Sequence, residues 1–249
     1  MLAMRSEAIN LRARHALLTG GTGTVGSLLA RRLLTAGVAV TTVGRRPCKP
    51  FAAGHVHIVA DLSLPEAVPQ IVNLVEQELD ILVALAATHS PGRLASLTPR
   101  QLEDVMRVKV WAPGLLAYAF CPGMAQRGWG RLVLVGGVTG HRPIPGFIAG
   151  AIANSSVKTL TMALSQEWRG TGVTVNCVTP GAIQSNRLDA TRRLLNEGRE
   201  GELDSLEKAP VLQPKALVDS LVFLLSQNAD AISGTDVVVD AGLLSGLSL

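Results

Sequence analysis

The fold is decided by a glycine-rich stretch near the N-terminus, Thr19-Gly20-Gly21-Thr22-Gly23-Thr24-Val25-Gly26. An apolar run, HALLT, leads into it and the amphipathic segment VGSLLARRLLTAG follows, so the order is strand, loop and helix. Glycines let the backbone turn tightly and approach a pyrophosphate, whose charge meets the unpaired N–H groups at a helix N-terminus. The stretch therefore predicts a dinucleotide-binding loop. The alternative is that its glycines serve only the geometry of the turn.

The rest of the chain repeats the alternation of apolar strands with longer helical segments. Six strand-like runs follow the first one: VAVTTV, VHIVA, ILVALA, RLVLV, VTVNCV and DVVVD. Pro214 stands where the helix PKALVDSLVFLLSQ would begin. In a chain of 249 residues this pattern predicts a single α/β domain over residues 1–249, with a Rossmann-like, doubly wound, seven-stranded parallel sheet flanked by helices.

Composition argues against several classes of protein. Although 47% of the residues are hydrophobic, charged residues, Gly or Pro interrupt every long apolar stretch, so we expect no membrane association. The N-terminus has charges where a secretory signal would be apolar, which favours the cytoplasm. Three cysteines without paired spacing predict neither a disulfide framework nor a metal site. The net charge of +4 is scattered and only 3% of residues are aromatic, so nucleic acid is not an expected partner.

The end of the second strand bears on the choice of nucleotide. Gly44 stands where an NAD-dependent enzyme offers a carboxylate to the ribose diol, so nothing there repels a phosphate. Arg45 and Arg46 follow, and a guanidinium can donate planar, charge-assisted hydrogen bonds to an adenosine 2′-phosphate. The sequence therefore predicts NADP(H) as the cofactor. The alternative is that both arginines only solvate a loop.

Further motifs carry a resemblance to a known family over residues 14–242. Asp61 and Leu62 lie in VADLS after the third strand, VTVNCVTPG occupies residues 173–181, and ISGTDVVVDAG contains the last strand. In this order the motifs resemble those of the short-chain dehydrogenase/reductases. The resemblance implies that Asp61 and Leu62 lie at the adenine. It also implies that the nicotinamide carboxamide is held by the turn after the sixth strand, at Pro180, Gly181, Ile183 and Ser185.

The resemblance fails at the residues of hydride transfer. The family's reaction uses a tyrosine acid, a lysine that lowers the tyrosine's pKa, a serine that polarises the carbonyl and an asparagine that completes a proton relay. Aligned through the helix over residues 149–168, these positions hold, in that order, Gly150, Asn154, Gly137 and Lys109. The one tyrosine of the chain, Tyr118, has no lysine four residues after it. We therefore expect no ordinary ketone reduction.

Two residues are candidates for other chemistry. His141 is a candidate acid or base because histidine is the residue type suited to proton transfer near neutral pH, and Lys109 is placed to project an ammonium toward the vacated lysine position. The alternatives are a surface histidine and a solvated lysine. Two glycines in place of the serine and the tyrosine predict an enlarged, less polar cavity. It would lie beneath residues 185–213, a charged segment of helical character that we expect to form a mobile substrate flap.

Three hypotheses about function follow. The first is an NADP(H)-binding enzyme without the usual hydride relay, which catalyses a cyclisation, isomerisation or elimination of a small, largely apolar biosynthetic intermediate. Such an enzyme would bind the nucleotide weakly or as a structural group. The second is a catalytically silent or nucleotide-sensing subunit of an active relative, and the third an NADP-dependent oxidoreductase with substituted acid and base. The family pairs subunits through its long helices and last strand. We therefore expect a homodimer or homotetramer, or a hetero-oligomer with an active family member.

Overall fold

A computed structural model of the chain describes residues 11–88, 90–186, 188–191 and 210–245. Its strands are β1 (His15–Thr19), β2 (Ala39–Gly44), β3 (His55–Val59), β4 (Ile81–Ala84), β5 (Gly130–Val135), β6 (Val173–Pro180), β7 (Ala182–Ile183), β8 (Val211–Leu212) and β9 (Asp236–Val239). Seven of them form one parallel sheet in the order β3-β2-β1-β4-β5-β6-β9. The predicted doubly wound sheet is confirmed. Its order reverses between β1 and β4, where such sheets open a ligand crevice at their carboxyl ends.

Helices cover both faces of the sheet. They are α1 (Thr24–Thr35), α2 (Ala67–Leu74), α3 (Pro99–Met106), α4 (Ala112–Gln126), α5 (Ile148–Glu167) and α6 (Pro214–Leu225). One apolar core packs α1 and α6 against one face, and two further cores pack α2 to α5 against the other. A turn of π-helix, Arg107–Trp111, joins α3 to α4. No helix in the described part of the chain is long and apolar enough to cross a membrane.

The helix boundaries lie close to the predicted ones, and one small element was not predicted. α1 ends at Thr35, two residues before Gly37, and α5 begins one residue before Ala149. The unpredicted element is the short parallel pair of β7 with β8, which brings Ile183 beside Leu212. These residues flank the predicted flap, 185–213. Residues 187 and 192–209 of that segment lie outside the described residues, so the flap stays a prediction.

Candidate active site

The glycine loop after β1 packs closely against its neighbours. Gly20 has a φ of +67°, and a Cβ there would lie 2.8 Å from the backbone nitrogen of Ala86. A Cβ on Gly26 would overlap the carbonyl oxygen of Gly20. α1 begins at Thr24, and its N-cap residue, Gly23, offers no side-chain cap. The loop therefore requires glycine, and the first turn of α1 suits an anion in place of a cap.

The eight predicted loop residues differ in exposure. Thr22, Gly23 and Thr24 are exposed at the mouth of the loop. Thr19 is fully buried, and its hydroxyl accepts a hydrogen bond from the backbone nitrogen of Ala86 at 3.3 Å. The side chain of Thr19 thus fastens β1 to the segment after β4. It holds the loop in place instead of facing the crevice.

β2 ends at a narrow notch beside this loop. A Cβ on Gly44 would lie 2.9 Å from Thr22 Oγ1 and 3.3 Å from His57 Cε1, so a larger side chain at residue 44 would crowd both neighbours. Arg45 and Arg46 follow and are exposed. The structure therefore places the two predicted phosphate-binding arginines beside the glycine loop. His57 was missed by the sequence analysis, although it alternates with His55 along β3.

The remaining predicted cofactor residues lie at the ends of β3 and β6. Asp61 Oδ1 accepts hydrogen bonds from the nitrogen and the hydroxyl of Ser63 at 3.0 and 2.9 Å, and Leu62 beside it is buried. In the turn after β6, which begins at Pro180 and Gly181, Ser185 Oγ donates to the carbonyl of Ile183 at 3.1 Å. Asp61 and Ser185 therefore both stabilise local turns. Their contacts with a nucleotide stay predictions.

A second polar cluster lies at the carboxyl end of β5. Lys109, from the π-helical turn, donates from Nζ to the carbonyl oxygens of Val135 and Gly136, both at 2.9 Å, and to Asn154 Oδ1 at 2.6 Å. Asn154 Nδ2 in turn donates to Thr139 Oγ1 at 2.8 Å. The ammonium thus reaches Asn154, the side chain that the sequence alignment places at the family's lysine, but it enters from the π-helical turn and not from α5.

The two glycines of this region differ in their surroundings. A Cβ on Gly137 would lie 2.8 Å from Asn154 Nδ2, so the amide occupies the space of a side chain there. A Cβ on Gly150, one turn before Asn154 on α5, would meet no atom of the described residues within 4 Å. Tyr118 lies on α4 with 80% of its surface exposed. The positions aligned with the four hydride-transfer residues therefore come together, and the tyrosine of the chain is elsewhere on the surface.

His141 is held by a partner that the sequence analysis missed. Its Nε2 lies 2.7 Å from Asp236 Oδ2 at the start of β9, whereas Lys109 is bound by groups of β5 and α5. A second residue fixes this arrangement, because the buried amide of Asn176 accepts a hydrogen bond from the nitrogen of Thr235 at 3.3 Å. An acidic residue inside the apolar run DVVVD was the signal for Asp236. The two predicted catalytic candidates thus belong to separate clusters.

The cysteines are structural where they are buried. Cys177 lies in β6, and burial and the charge of Asp236 raise the pKa of its thiol to about 12. Burial and the charge of Glu167 likewise raise the pKa of Cys121 to about 12. Both side chains therefore remain neutral thiols. Among the described residues, no group of three or more His, Cys, Asp or Glu side chains is arranged to hold a metal ion.

A cleft of about 620 Å³ opens between the loop after β5 and the first turns of α5. Its lining is mostly apolar and includes Leu94, Pro143, Ile144, Pro145, Ile148 and Ile152. Arg93 contributes a charge and Ser155 a hydroxyl to the same lining. Gly140 also lines the cleft and packs on Asn154, so the cleft adjoins the cluster of Lys109. An apolar cleft therefore lies beside the aligned positions, but neither Gly137 nor Gly150 is among its lining residues, so the enlarged cavity at these glycines stays a prediction.

Comparison with known proteins places the chain in a family. Residues 14–195 match the family model for short chain dehydrogenases, so the chain belongs to the short-chain dehydrogenase/reductase family. It is similar to dehydrogenase/reductase SDR family member 4 of Pongo abelii, at 28% identity over 95% of this chain and 90% of that protein. The 3-oxoacyl-(acyl-carrier-protein) reductase of Vibrio cholerae is 26% identical over 94% of this chain and 99% of its own length.

A solved structure gives the same result for the fold. Gluconate 5-dehydrogenase from Burkholderia cenocepacia, in complex with NADP and tartrate, matches with a TM-score of 0.82 at 25% identity, over 96% of this chain and 99% of that chain. The resemblance inferred from the sequence motifs is therefore confirmed at the level of family and fold. The substitution of the hydride-transfer residues remains a prediction.

Proposed function

We propose that the chain binds NADP(H) at the glycine loop and does not carry out the ordinary hydride transfer of its family. Support for binding comes from the required glycines, from the uncapped start of α1 and from Arg45 beside the notch at Gly44. The related gluconate dehydrogenase holds NADP. A bound nicotinamide supplies a hydride donor or acceptor, and the question is what the chain offers beside it.

One observation carries the second half of the proposal, namely that Tyr118 is exposed on α4 while Gly150 faces open space. Carbonyl reduction needs a proton delivered to the developing oxyanion. An ammonium has three N–H donors, and Lys109 uses them on two carbonyl oxygens and Asn154. Donation from Lys109 to a substrate would break one of these bonds. The cluster is therefore built to fix Asn154 and not to act as an acid.

The apolar cleft supports the substrate class. A lining of Leu, Ile and Pro side chains suits a small, largely apolar molecule, and Arg93 and Ser155 give it two polar contacts for orientation. The proposed reaction is a cyclisation, isomerisation or elimination, because holding one substrate in a fixed conformation in the cleft favours an intramolecular step. This assignment rests on the shape and chemistry of the cleft.

Calorimetric titration tests the cofactor. We expect NADPH to bind at least about tenfold more tightly than NADH, because a charge-assisted phosphate contact is available only to the former. Arg45→Ala should remove most of this preference. The control is Arg169→Ala, which removes an equally exposed arginine just after α5, at the opposite edge of the sheet. Equal affinity of the natural chain for both nucleotides would contradict the proposed cofactor.

A silent or sensing subunit is the second candidate, and exposed apolar side chains on α5, α4 and the adjoining π-helical turn favour it. They are Trp111, Leu115, Tyr118, Ile152 and Met162. An apolar surface of this kind suits pairing with another subunit. Light scattering distinguishes the cases. A homodimer or homotetramer agrees with the first proposal, and a monomer that assembles only with a related chain favours the second.

The pairing of His141 with Asp236 favours the third candidate, an oxidoreductase with a substituted acid. A carboxylate fixes the orientation and tautomer of an imidazole, as in known acid–base pairs. If the natural chain oxidises NADPH with a carbonyl substrate and His141→Gln does not, this function replaces the one we propose.

A further inference from the structure

Two histidines of β3 hold both ends of the segment between β2 and β3. His57 lies directly opposite Thr42 in the β2–β3 register, and Thr42 Oγ1 is 2.8 Å from His57 Nδ1 and 2.8 Å from His55 Nε2. His57 Nε2 lies 2.9 Å from the carbonyl oxygen of Arg46, and the backbone nitrogen of Phe51 donates to His55 Nδ1 at 3.0 Å. Four hydrogen bonds thus run from Phe51 to Arg46.

The direction of every bond in this chain follows from its two ends. Phe51 can only donate through its N–H, so His55 Nδ1 carries no proton and Nε2–H donates to Thr42. At the other end the carbonyl of Arg46 can only accept, so His57 Nε2 carries a proton. A neutral His57 then accepts at Nδ1 from the hydroxyl of Thr42. The Phe51 N–H at one end and the Arg46 carbonyl at the other therefore require the same orientation of the Thr42 hydroxyl. This hydroxyl lies buried between the two imidazoles.

The neutral form of His55 is favoured by its surroundings. Burial, and the charges of His57 and Arg31, lower the pKa of His55. His55 also stacks on Phe51, with ring centroids 4.4 Å apart. The guanidinium of Arg31, from α1, lies over the Phe51 ring. The segment that carries Arg45 and Arg46 is therefore fastened to β3 by a directional set of bonds, not by general packing.

We propose that His57 is a positioning residue for a phosphate on the 2′-oxygen of adenosine, an inference that rests on the NADP(H) binding proposed above. Its Nε2–H fixes the carbonyl of Arg46 and so the backbone from which both guanidiniums project. Its ring edge also closes the notch at Gly44, where a Cβ would lie 3.3 Å from Cε1. The same ring thereby orients the phosphate-binding arginines and crowds any carboxylate placed at residue 44.

The test compares two nucleotides that differ only in this phosphate, adenosine 2′,5′-bisphosphate and adenosine 5′-monophosphate. Calorimetry on the full chain should give at least about tenfold tighter binding of the bisphosphate. In His57→Asn the short amide reaches only the place of Nδ1, and we expect that ratio to fall at least about threefold with the monophosphate affinity unchanged. In His57→Gln the amide nitrogen reaches the place of Nε2, so the ratio should stay within about twofold of the natural one.

His15→Asn is the matched control. His15 Nε2 lies 2.8 Å from Thr41 Oγ1, so the variant removes a buried histidine–threonine bond of the same length. Thr41 precedes Thr42 in β2, and its side chain therefore lies on the other face of the sheet. The His15→Asn variant should lower the melting temperature and leave the nucleotide ratio unchanged. Two results would overturn the positioning role alone. One is an affinity ratio in His57→Asn equal to that of the natural chain, and the other is an equal loss of affinity for both nucleotides. A natural ratio near one overturns the NADP(H) assignment and this inference with it.

The natural chain gives a second measurement that needs no variant to fold. Long-range ¹H–¹⁵N spectra report the tautomer of each imidazole, and we expect His55 and His57 both to carry their proton on Nε2 at neutral pH. The bisphosphate should shift the His57 signals and the monophosphate should not. A protonated Nδ1 on His57, or shifts of equal size with both nucleotides, contradicts the proposed arrangement.

Discussion

The crevice has two halves, named for the parts of NADP(H) that we propose they bind: the adenosine half, built by β1 to β3, and the nicotinamide half, built by β4 to β6. The two halves use glycine in opposite ways. Gly20 and Gly26 are required by their own backbone surroundings, since a Cβ on either would collide with main-chain atoms. Gly150 lies in a helix, and within the described part of the chain no atom lies within 4 Å of the place that a Cβ would take. Glycine in a helix costs about 0.5–1 kcal/mol relative to alanine, and packing gives no reason for it here. The difference indicates that the glycines of the adenosine half maintain a close backbone approach, whereas Gly150 in the nicotinamide half leaves space in the site.

The largest expected effect comes from restoring the second half. Gly137→Ser, Gly150→Tyr and Asn154→Lys reinstate the family's side chains, and Lys109→Asn must accompany them, because two ammonium groups would otherwise occupy the same site. Gly150 has space for the tyrosine, and removal of the Asn154 amide makes space for the serine. We expect carbonyl-dependent NADPH oxidation to rise at least about 100-fold, which is the low end of what acid catalysis contributes. Absorbance of the reduced nicotinamide measures it over a panel of ketones.

The three-residue variant that keeps Lys109 is the control for this experiment, and we expect little gain from it. A natural chain that already turns over a ketone at about one per second or faster would contradict the proposed loss of hydride transfer. In that case His141, beside Asp236, is the first residue to test for the role of the acid.

Two alanine substitutions test the opposite uses of glycine. Gly26→Ala should lower the free energy of unfolding by about 3 kcal/mol and weaken nucleotide binding, because the new Cβ overlaps the carbonyl oxygen of Gly20. Gly150→Ala should instead raise the free energy of unfolding by about 0.5–1 kcal/mol. Urea unfolding measures both. A destabilised Gly150→Ala protein would mean that packing does require glycine there, and the contrast between the halves would be lost.

Replacing Lys109 tests whether its ammonium stabilises the nicotinamide half. Lys109→Met leaves Asn154 Oδ1 and two carbonyl oxygens without this donor, so we expect a loss of about 2 kcal/mol of stability. Lys158→Met is the control, because Lys158 Nζ donates to the carbonyl oxygen of Gly140 at 3.1 Å and the variant so removes a lysine–carbonyl bond outside the Lys109 cluster. Binding of adenosine 2′,5′-bisphosphate should be unchanged in both variants. Weaker binding in Lys109→Met alone would show that the two halves are coupled.

The sheet was predictable because its central strands are buried on both faces and therefore appear as continuous apolar runs. β7 and β8 are two residues long, which is too short for any periodicity, and their pairing joins positions 29 residues apart, Ile183 and Leu212. Such pairing depends on tertiary structure. The glycine loop, Gly44 and the two arginines could likewise be predicted, because each lies in a short stretch directly after one strand or at its end.

The contacts within the site could not be predicted in the same way. Alignment placed Lys109 and Asn154 at two of the four positions, but their hydrogen bond depends on how the π-helical turn and α5 approach β5. The alternation of His55 and His57 indicated a shared face of β3. That Thr42 lies between them follows from the β2–β3 register, which the sequence does not specify.

The smallest expected effect is a dependence of stability on pH that arises in the adenosine half. Burial lowers the pKa of His15 and of His55 below the ordinary value of 6.5. Below pH 6.5 the unfolded chain therefore binds protons that the folded chain does not, and stability is present above this pH and lost as the pH falls. We expect a loss on the order of 1 kcal/mol per pH unit between pH about 6.5 and about 5.5, with a shallower slope in His15→Asn. Hydrogen exchange should show β1 to β3 losing protection before β4 to β6. Equal loss in both halves would mean that carboxylates elsewhere dominate the acid response.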